Sequence, residues 1–164
     1  MFFMKDNKTN VMRILDKEKI SYVPHFYEPD GQIDGMHTAQ ILGIPFECCF
    51  KTLVTYFKKS DGKTEHYVFC IPVDAELDLK AAARAAGVKS VEMLAVKDLL
   101  KTTGYIRGGC SPVGMKKQFK TFIDESALNS EKIYVSGGKI GAQVELPPDK
   151  LAGLTGAEFV KITV

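Results

Sequence analysis

Two apolar periods alternate along this chain. Val11, Met12, Ile14 and Leu15 share one face at helical spacing, behind a cap at Thr9 or Asn10. Tyr22 to Tyr27 reads as a strand, and Pro24 within it points to a sheet edge. Pro29-Asp30-Gly31 opens a polar loop, and Thr38 to Leu42 forms a short helix that stops at Gly43. Cys49 to Phe57 is rich in β-branched and aromatic residues, Ser60-Asp61-Gly62-Lys63 carries a hairpin turn signal, and His66 to Pro72 returns as the partner strand. Alanine-rich Leu79 to Ala86 is helical up to Gly87, and a short strand at Val91 to Met93 precedes a helix from Val96 to Thr102. Further strands are expected at Phe119 to Asp124, Ile133 to Ser136, Ala142 to Leu146 and Glu158 to Thr163, with a helix at Asp149 to Leu154 seated by Pro147 and Pro148. Hairpins beside crossovers predict an α+β fold. The expectation is a single domain over 1–164 with a mixed, partly closed β-sheet of about six or seven strands, flanked by helices.

Composition narrows the class. Hydrophobic residues make up 45% and charged residues 26%, which suits a packed globular domain and not a disordered chain. No apolar run is long enough to span a bilayer, and Met1 to Met4 is too short for a signal-peptide core before the acidic Asp6. A cytoplasmic protein without membrane contact is therefore expected. Cys48, Cys49, Cys70 and Cys110 have neither zinc nor disulfide-framework spacing, and His25, His37 and His66 lack metal-ligand spacing. No metal and no cofactor are expected. Neither glycine-rich segment fits the dinucleotide pattern G-x-G-x-x-G, and Ile133 stands where a Walker loop ending at Gly138-Lys139 needs glycine.

Two glycine-rich segments break the periodicity. Gly104 to Lys117 holds four glycines, Pro112 and three basic residues, and Val135 to Gly141 holds a second cluster with Lys139. Backbone N–H groups in such loops form concave donor sites for an anion or a developing oxyanion. Net charge is only +2, too low for a generic nucleic-acid coat. Between Lys97 and Lys120, however, six basic residues face the single acid Asp98, which suits a phosphate-bearing partner. Cys110 and Ser111 lie outside any G-x-S-x-G elbow and read as small residues tolerated in a tight loop. Lys51, set among Phe50, Leu53 and Val54, is either a cleft lysine that meets an anion or an edge-strand lysine that discourages aggregation. Spacing leaves both open.

Four colinear stretches carry a resemblance: Phe50-Lys51-Thr52-Leu53, Leu77 to Ala82, Gly104 to Lys117 and Tyr134 to Gly141. Together they resemble the YbaK/EbsC family of free-standing aminoacyl-tRNA editing domains, in particular its Cys-tRNA(Pro) deacylase branch. The run T-G-Y-x-x-G-G-x-S-P-x-G-x-K-K is its most specific element. The resemblance implies an enzyme that removes cysteine from mischarged tRNA(Pro), with Cys-tRNA(Cys) a further candidate substrate. Such a second checking site is useful because a synthetase pocket discriminates one methylene by only about 1–3 kcal/mol. It implies Lys51, Gly108 and Ser136 as catalytic positions. Tyr27, Thr52, Gly109, Ser111, Pro112, Gly114, Gly137, Gly138 and Lys139 are implied on the substrate. Partners implied are the acceptor end of aminoacyl-tRNA and prolyl-tRNA synthetase, not DNA. Gln143 stands where some members have aspartate and receives no catalytic role, and the stretch Asp34 to His37 matches the family poorly.

Neither the family pattern nor this chain offers an obvious protein nucleophile. The resemblance implies that the substrate's own thiol attacks its ester carbonyl, with loop N–H groups on the oxyanion and Lys51 on the terminal ribose, phosphate or ester. Two alternatives stand beside this one: a deacylase for another mischarged tRNA such as Ala-tRNA(Pro), and a non-catalytic module that binds tRNA or a synthetase.

Overall fold

A computed structural model describes residues 7–164. In chain order its elements are α1 (Asn10–Lys17), β1 (Val23–Phe26), α2 (Gly35–Leu42), β2 (Phe50–Lys58), β3 (Thr64–Pro72), α3 (Leu79–Ala86), β4 (Glu92–Met93), α4 (Val96–Thr103), β5 (Lys120–Asp124), β6 (Ile133–Ser136), β7 (Ala142–Leu146), α5 (Pro148–Thr155) and β8 (Glu158–Val160). Two short 3-10 turns lie at Phe46–Cys48 and Glu125–Asn129.

The β2–β3 hairpin organises the molecule. Its strands pair antiparallel from Phe50↔Pro72 to Lys58↔Thr64. β4 adds antiparallel to β2, β5 adds parallel to β3, and β8 adds parallel to β5, giving the order β4-β2-β3-β5-β8. From Tyr67 to Pro72 β3 is apolar and buried, because both of its faces are covered there. Tyr67, Phe69 and Ile71 pack with Ala82, Ala83 and Ala86 of α3 and with Phe122. Cys70 points the other way, into a core built with Val11, Met12 and Leu15 of α1, Ile123 of β5 and Leu151 of α5.

The remaining strands form a separate antiparallel sheet in the order β1-β7-β6. Ile133, Val135, Ala142, Val144 and Leu146 bury one face of it in the α1 core. The alternate residues Tyr134, Ser136, Gln143 and Glu145 lie on the opposite face, as the two-residue strand period requires. The α+β expectation holds, but the sheet does not close on itself. Among the described residues, eight strands divide between two sheets, and a single isolated parallel bridge, Cys49↔Tyr134, connects them. β7 is paired on both sides, so β1 and β6 are the edges of the small sheet, and β6 meets the hairpin sheet only through the single Cys49↔Tyr134 bridge, too little pairing to close one continuous sheet.

The C-terminal strand is shorter than the apolar pattern Glu158 to Thr163 suggests. Asp124, 2% exposed, draws the chain out of the sheet: its Oδ1 accepts from the Ile162 N–H at 3.0 Å and its Oδ2 from the Ser126 N–H at 3.2 Å. No helix among the described residues is long and apolar enough to cross a membrane.

Candidate active site

The start of the β2–β3 hairpin opens into a cleft of about 340 Å³. One wall is Cys49, Phe50, Lys51, Thr52 and Leu53 at the head of β2, with Val73 just beyond β3. The second is Ile33 to Met36 and Thr38, at the start of α2. Arg107, Gly108 and Cys110 of the first glycine loop, with Ser136 and Gln143 of the small sheet, complete it. A larger groove of about 610 Å³ between α1 and β1 includes none of these residues.

The two glycine loops meet at this cleft by direct backbone contact. A Cβ on Gly109 would stand 3.0 Å from Lys139 Cα and 3.2 Å from the Ile140 nitrogen. Gly108 has a φ of +89°, and a Cβ there would stand 3.1 Å from Ile33 Cβ and 3.2 Å from Ile140 Cγ1. Only glycine fits both demands. Gly114 and Gly138 serve a different contact, since a Cβ on either would fall within 3 Å of Ile14 or Val11 of α1 (2.9 and 2.8 Å). A Cβ on Gly137 would press on Ala142.

The polar residues of the loops are held from within. Ser111 is fully buried, and its Oγ accepts from the Val113 N–H at 3.2 Å. Tyr105 donates its hydroxyl to the Val113 carbonyl, beside the buried Pro112. Ser136 Oγ accepts from the Gly138 N–H at 3.1 Å. Thus Lys51, Thr52, Gly108 and Ser136 line the cleft, and Gly109 sets the distance between its loops. Tyr27 lies outside the lining, and its hydroxyl is 3.4 Å from Oγ1 of the lining residue Thr38. Ser111, Pro112, Gly114, Gly137 and Gly138 shape the loops from behind, and Lys139 is exposed outside the lining.

Among the described residues, the cleft holds Lys51 and Arg107 against the single carboxylate of Asp34, a net positive balance. Half-buried Lys51 and exposed Arg107 make no hydrogen bond or ion pair among the described residues. The basic run seen in sequence does not converge here as a whole. Lys101 pairs with Asp98 at 2.9 Å, Lys116 Nζ donates to the Lys101 carbonyl at 3.4 Å, and Lys120 Nζ lies 5.5 Å from the Phe122 ring centroid. Lys117 borders a different groove beside His66, whose pKa is lowered by burial and by that lysine. Of the run, Arg107 alone lines the cleft.

Protein groups able to act as base or nucleophile are scarce. Burial pushes the Cys110 thiol up to about 12, against a Thr103 hydrogen bond, and pushes Cys49 up to about 12, with Cys48 adding to the rise. Both are thiols at neutral pH. Asp34 is the carboxylate in the lining, and its pKa is lowered by hydrogen bonds from the His37 N–H and from Gln32. It caps α2 with Oδ1 and accepts from Gln32 Nε2 with Oδ2, so both oxygens are engaged. His37 is bound to Asp30 at 2.6 Å, and His25 to Glu145 at 2.9 Å. Among the described residues no group of three or more His, Cys, Asp or Glu side chains is placed to hold a metal ion.

The α2 wall escaped the sequence pattern. Asp34 precedes the helix as its cap, and Gly35 is required because a Cβ there would stand 2.5 Å from Val73 Cγ1. A capping Asp three residues before His37 was the available signal.

Comparison with known proteins identifies the family and the fold. The family model of the aminoacyl-tRNA editing domain matches residues 36–154. The chain is 47% identical over 157 residues to the EbsC protein of Enterococcus faecalis, named as a candidate Cys-tRNA(Pro)/Cys-tRNA(Cys) deacylase, covering 95% of this chain and 93% of that one. The crystal structure of a candidate trans-editing enzyme for prolyl-tRNA synthetase shares the fold at TM-score 0.77 and 24% identity, with 94% of each chain covered. A hypothetical protein's crystal structure does so at TM-score 0.83 and 24% identity, covering 95% of this chain and all of that one. The chain belongs to the aminoacyl-tRNA editing domain family.

Proposed function

We propose that residues 1–164 act as one free-standing editing unit that removes cysteine from mischarged Cys-tRNA(Pro) in the cytoplasm, downstream of prolyl-tRNA synthetase. One observation carries the reading: the cleft offers two uncommitted cations and free backbone donors, but its lining holds no activated nucleophile and no unengaged base. Chemistry in such a site falls to the substrate. A cysteinyl thiol is partly ionised at neutral pH and is strongly nucleophilic. Its sulfur attacks the carbonyl of its own ester, forming a C–S bond in a cyclic thioester and breaking the bond to the ribose oxygen. The thiol proton ends on that ribose oxygen, and water later opens the thioester to free cysteine.

The residues supply binding and electrostatics. The Gly108 and Cys110 N–H groups make no hydrogen bond among the described residues and suit the developing oxyanion, whereas the Gly109 N–H is spent on the Ile106 carbonyl at 3.0 Å. One such donor is worth roughly 3 kcal/mol in an acyl-transfer barrier. Lys51 and Arg107 meet the terminal phosphate and ribose, fixing the ester without reading tRNA sequence. Release of radiolabelled cysteine from Cys-tRNA(Pro) by purified protein tests the reading. Release within minutes at catalytic enzyme concentration supports it. Retention of the intact ester on the protein would replace it with a binding role, and faster release from Ala-tRNA(Pro) would change the substrate.

A further inference from the structure

The side-chain amide of Gln143 differs from the other polar groups around the cleft. It lines the cavity, it is 8% exposed, and its Oε1 is buried without a hydrogen-bond partner. The other side-chain oxygens in the lining are committed. Asp34 accepts from the His37 N–H and Gln32, and Thr38 Oγ1 bonds the Asp34 carbonyl at 3.3 Å. Thr52 Oγ1 meets Cys70 Sγ at 3.8 Å, and Ser136 Oγ accepts from the Gly138 N–H. A buried amide carbonyl left unpaired destabilises a fold, and the usual resolution is a donor from outside the chain. The Gln143 amide nitrogen makes no hydrogen bond among the described residues either. A half-turn of the terminal amide therefore exchanges the two atoms without breaking a bond.

We infer that Gln143 is a positioning and specificity residue whose amide carbonyl accepts an N–H from the α-amino group of the aminoacyl ester. The inference rests on the deacylase reading above. Phosphate and ester oxygens of the substrate only accept, and Lys51 and Arg107 attract them. The thiol is a weak donor. Ribose hydroxyls travel with the phosphate toward exposed Arg107, whereas Gln143 sits deep on the small sheet, in register between Ser136 and His25. The α-amino group is the strong donor that remains. It adds a third positive charge when protonated, and a neutral carbonyl accepts from it in either protonation state. The substrate class is then free-amino aminoacyl esters.

Two esters of tRNA(Pro) separate this role from a structural one: cysteinyl, and 3-mercaptopropionyl, which keeps the thiol spacing and lacks the amine. Gln143→Met is expected to lower kcat/KM about 10- to 100-fold on the cysteinyl ester and less than about 3-fold on the mercaptopropionyl ester. Gln143→Glu, which restores an acceptor, is expected to recover the cysteinyl preference. Each preparation is measured on both esters, so a misfolded fraction cancels. Equal losses on the two esters, or no loss on either, would overturn the assignment. Absence of turnover by the wild-type chain on both would overturn the deacylase reading and this assignment with it.

Discussion

Gly109→Ala is the sharpest structural perturbation of the cleft. The added Cβ would lie 3.0 Å from Lys139 Cα, and 3.2 Å from both the Lys139 carbonyl carbon and the Ile140 nitrogen. All three are backbone atoms, so no side chain can swing aside. Ordinary contact requires the loops to part by roughly half an ångström, and overpacking of this kind destabilises by about 1–3 kcal/mol. For a domain of this size that lowers Tm by about 3 to 10 °C. The catalytic loss should be larger than the loss of folded protein. Separating the loops moves Gly108 and Cys110 relative to Ser136, and misplacement near 1 Å can reduce a rate about 100-fold. The assay pairs thermal denaturation with kcat/KM on Cys-tRNA(Pro). Gly153→Ala is the control: a Cβ in α5 meets nothing within 4 Å, so that variant should keep full activity and gain up to about 1 kcal/mol. If Gly109→Ala kept both Tm and rate at the Gly153→Ala level, the contact between the two loops would not shape the site.

Other consequences follow from single residues. Lys51→Ala should cut turnover at least about 100-fold while leaving Tm within about 2 °C, because its ammonium holds no partner among the described residues; unchanged kcat/KM would make the lysine structural only. Cys110→Ala should retain activity within a few-fold, since a thiol raised to about 12 is no nucleophile at neutral pH; complete loss would put a protein thiol in the reaction. Asp124→Ala should lower unfolding free energy by about 2–4 kcal/mol in denaturant titration, with little change in kcat, because it leaves the Ile162 and Ser126 N–H groups unpaired. The Asp34 carboxyl has a folded pKa below its ordinary 3.8, so its stabilisation is complete above that value and disappears as pH falls through the lower folded value. Asp34→Asn should therefore flatten the acid side of the stability curve, and an unchanged curve would mean that the cap carries no linkage.

Much of the fold was legible because its signals are local. The Ser60 to Lys63 turn with apolar runs on both sides specifies the β2–β3 hairpin, and Gly43, Gly87 and Gly104 end their helices in the left-handed conformation. Division into two sheets was not legible. Apolar alternation shows which face of a strand is buried but not which strand lies beside it, and both edges of β7 are taken by sequence-distant β1 and adjacent β6. In the site, the glycine loops and Lys51 stand out by composition. The dispersal of the basic run did not, because apart from the Asp98–Lys101 pair it is set by tertiary placement: Lys116 on the Lys101 carbonyl, Lys120 beside the Phe122 ring and Lys117 in a separate groove. Gln143 stood out in sequence only as a departure from the aspartate of some family members, with no catalytic role attached. Its isolation became visible only once each neighbouring oxygen had a partner.

In the proposed reaction the attacking nucleophile belongs to the substrate. Deacylation rates for cysteinyl-, seryl- and S-methylcysteinyl-tRNA(Pro), measured side by side with the same enzyme preparation, test it directly. Fast loss of the cysteinyl ester, with the seryl and S-methylated esters at least about 100-fold slower, is the predicted result. Comparable rates on all three would show that water or a protein group attacks the ester, and the thiol mechanism would fail.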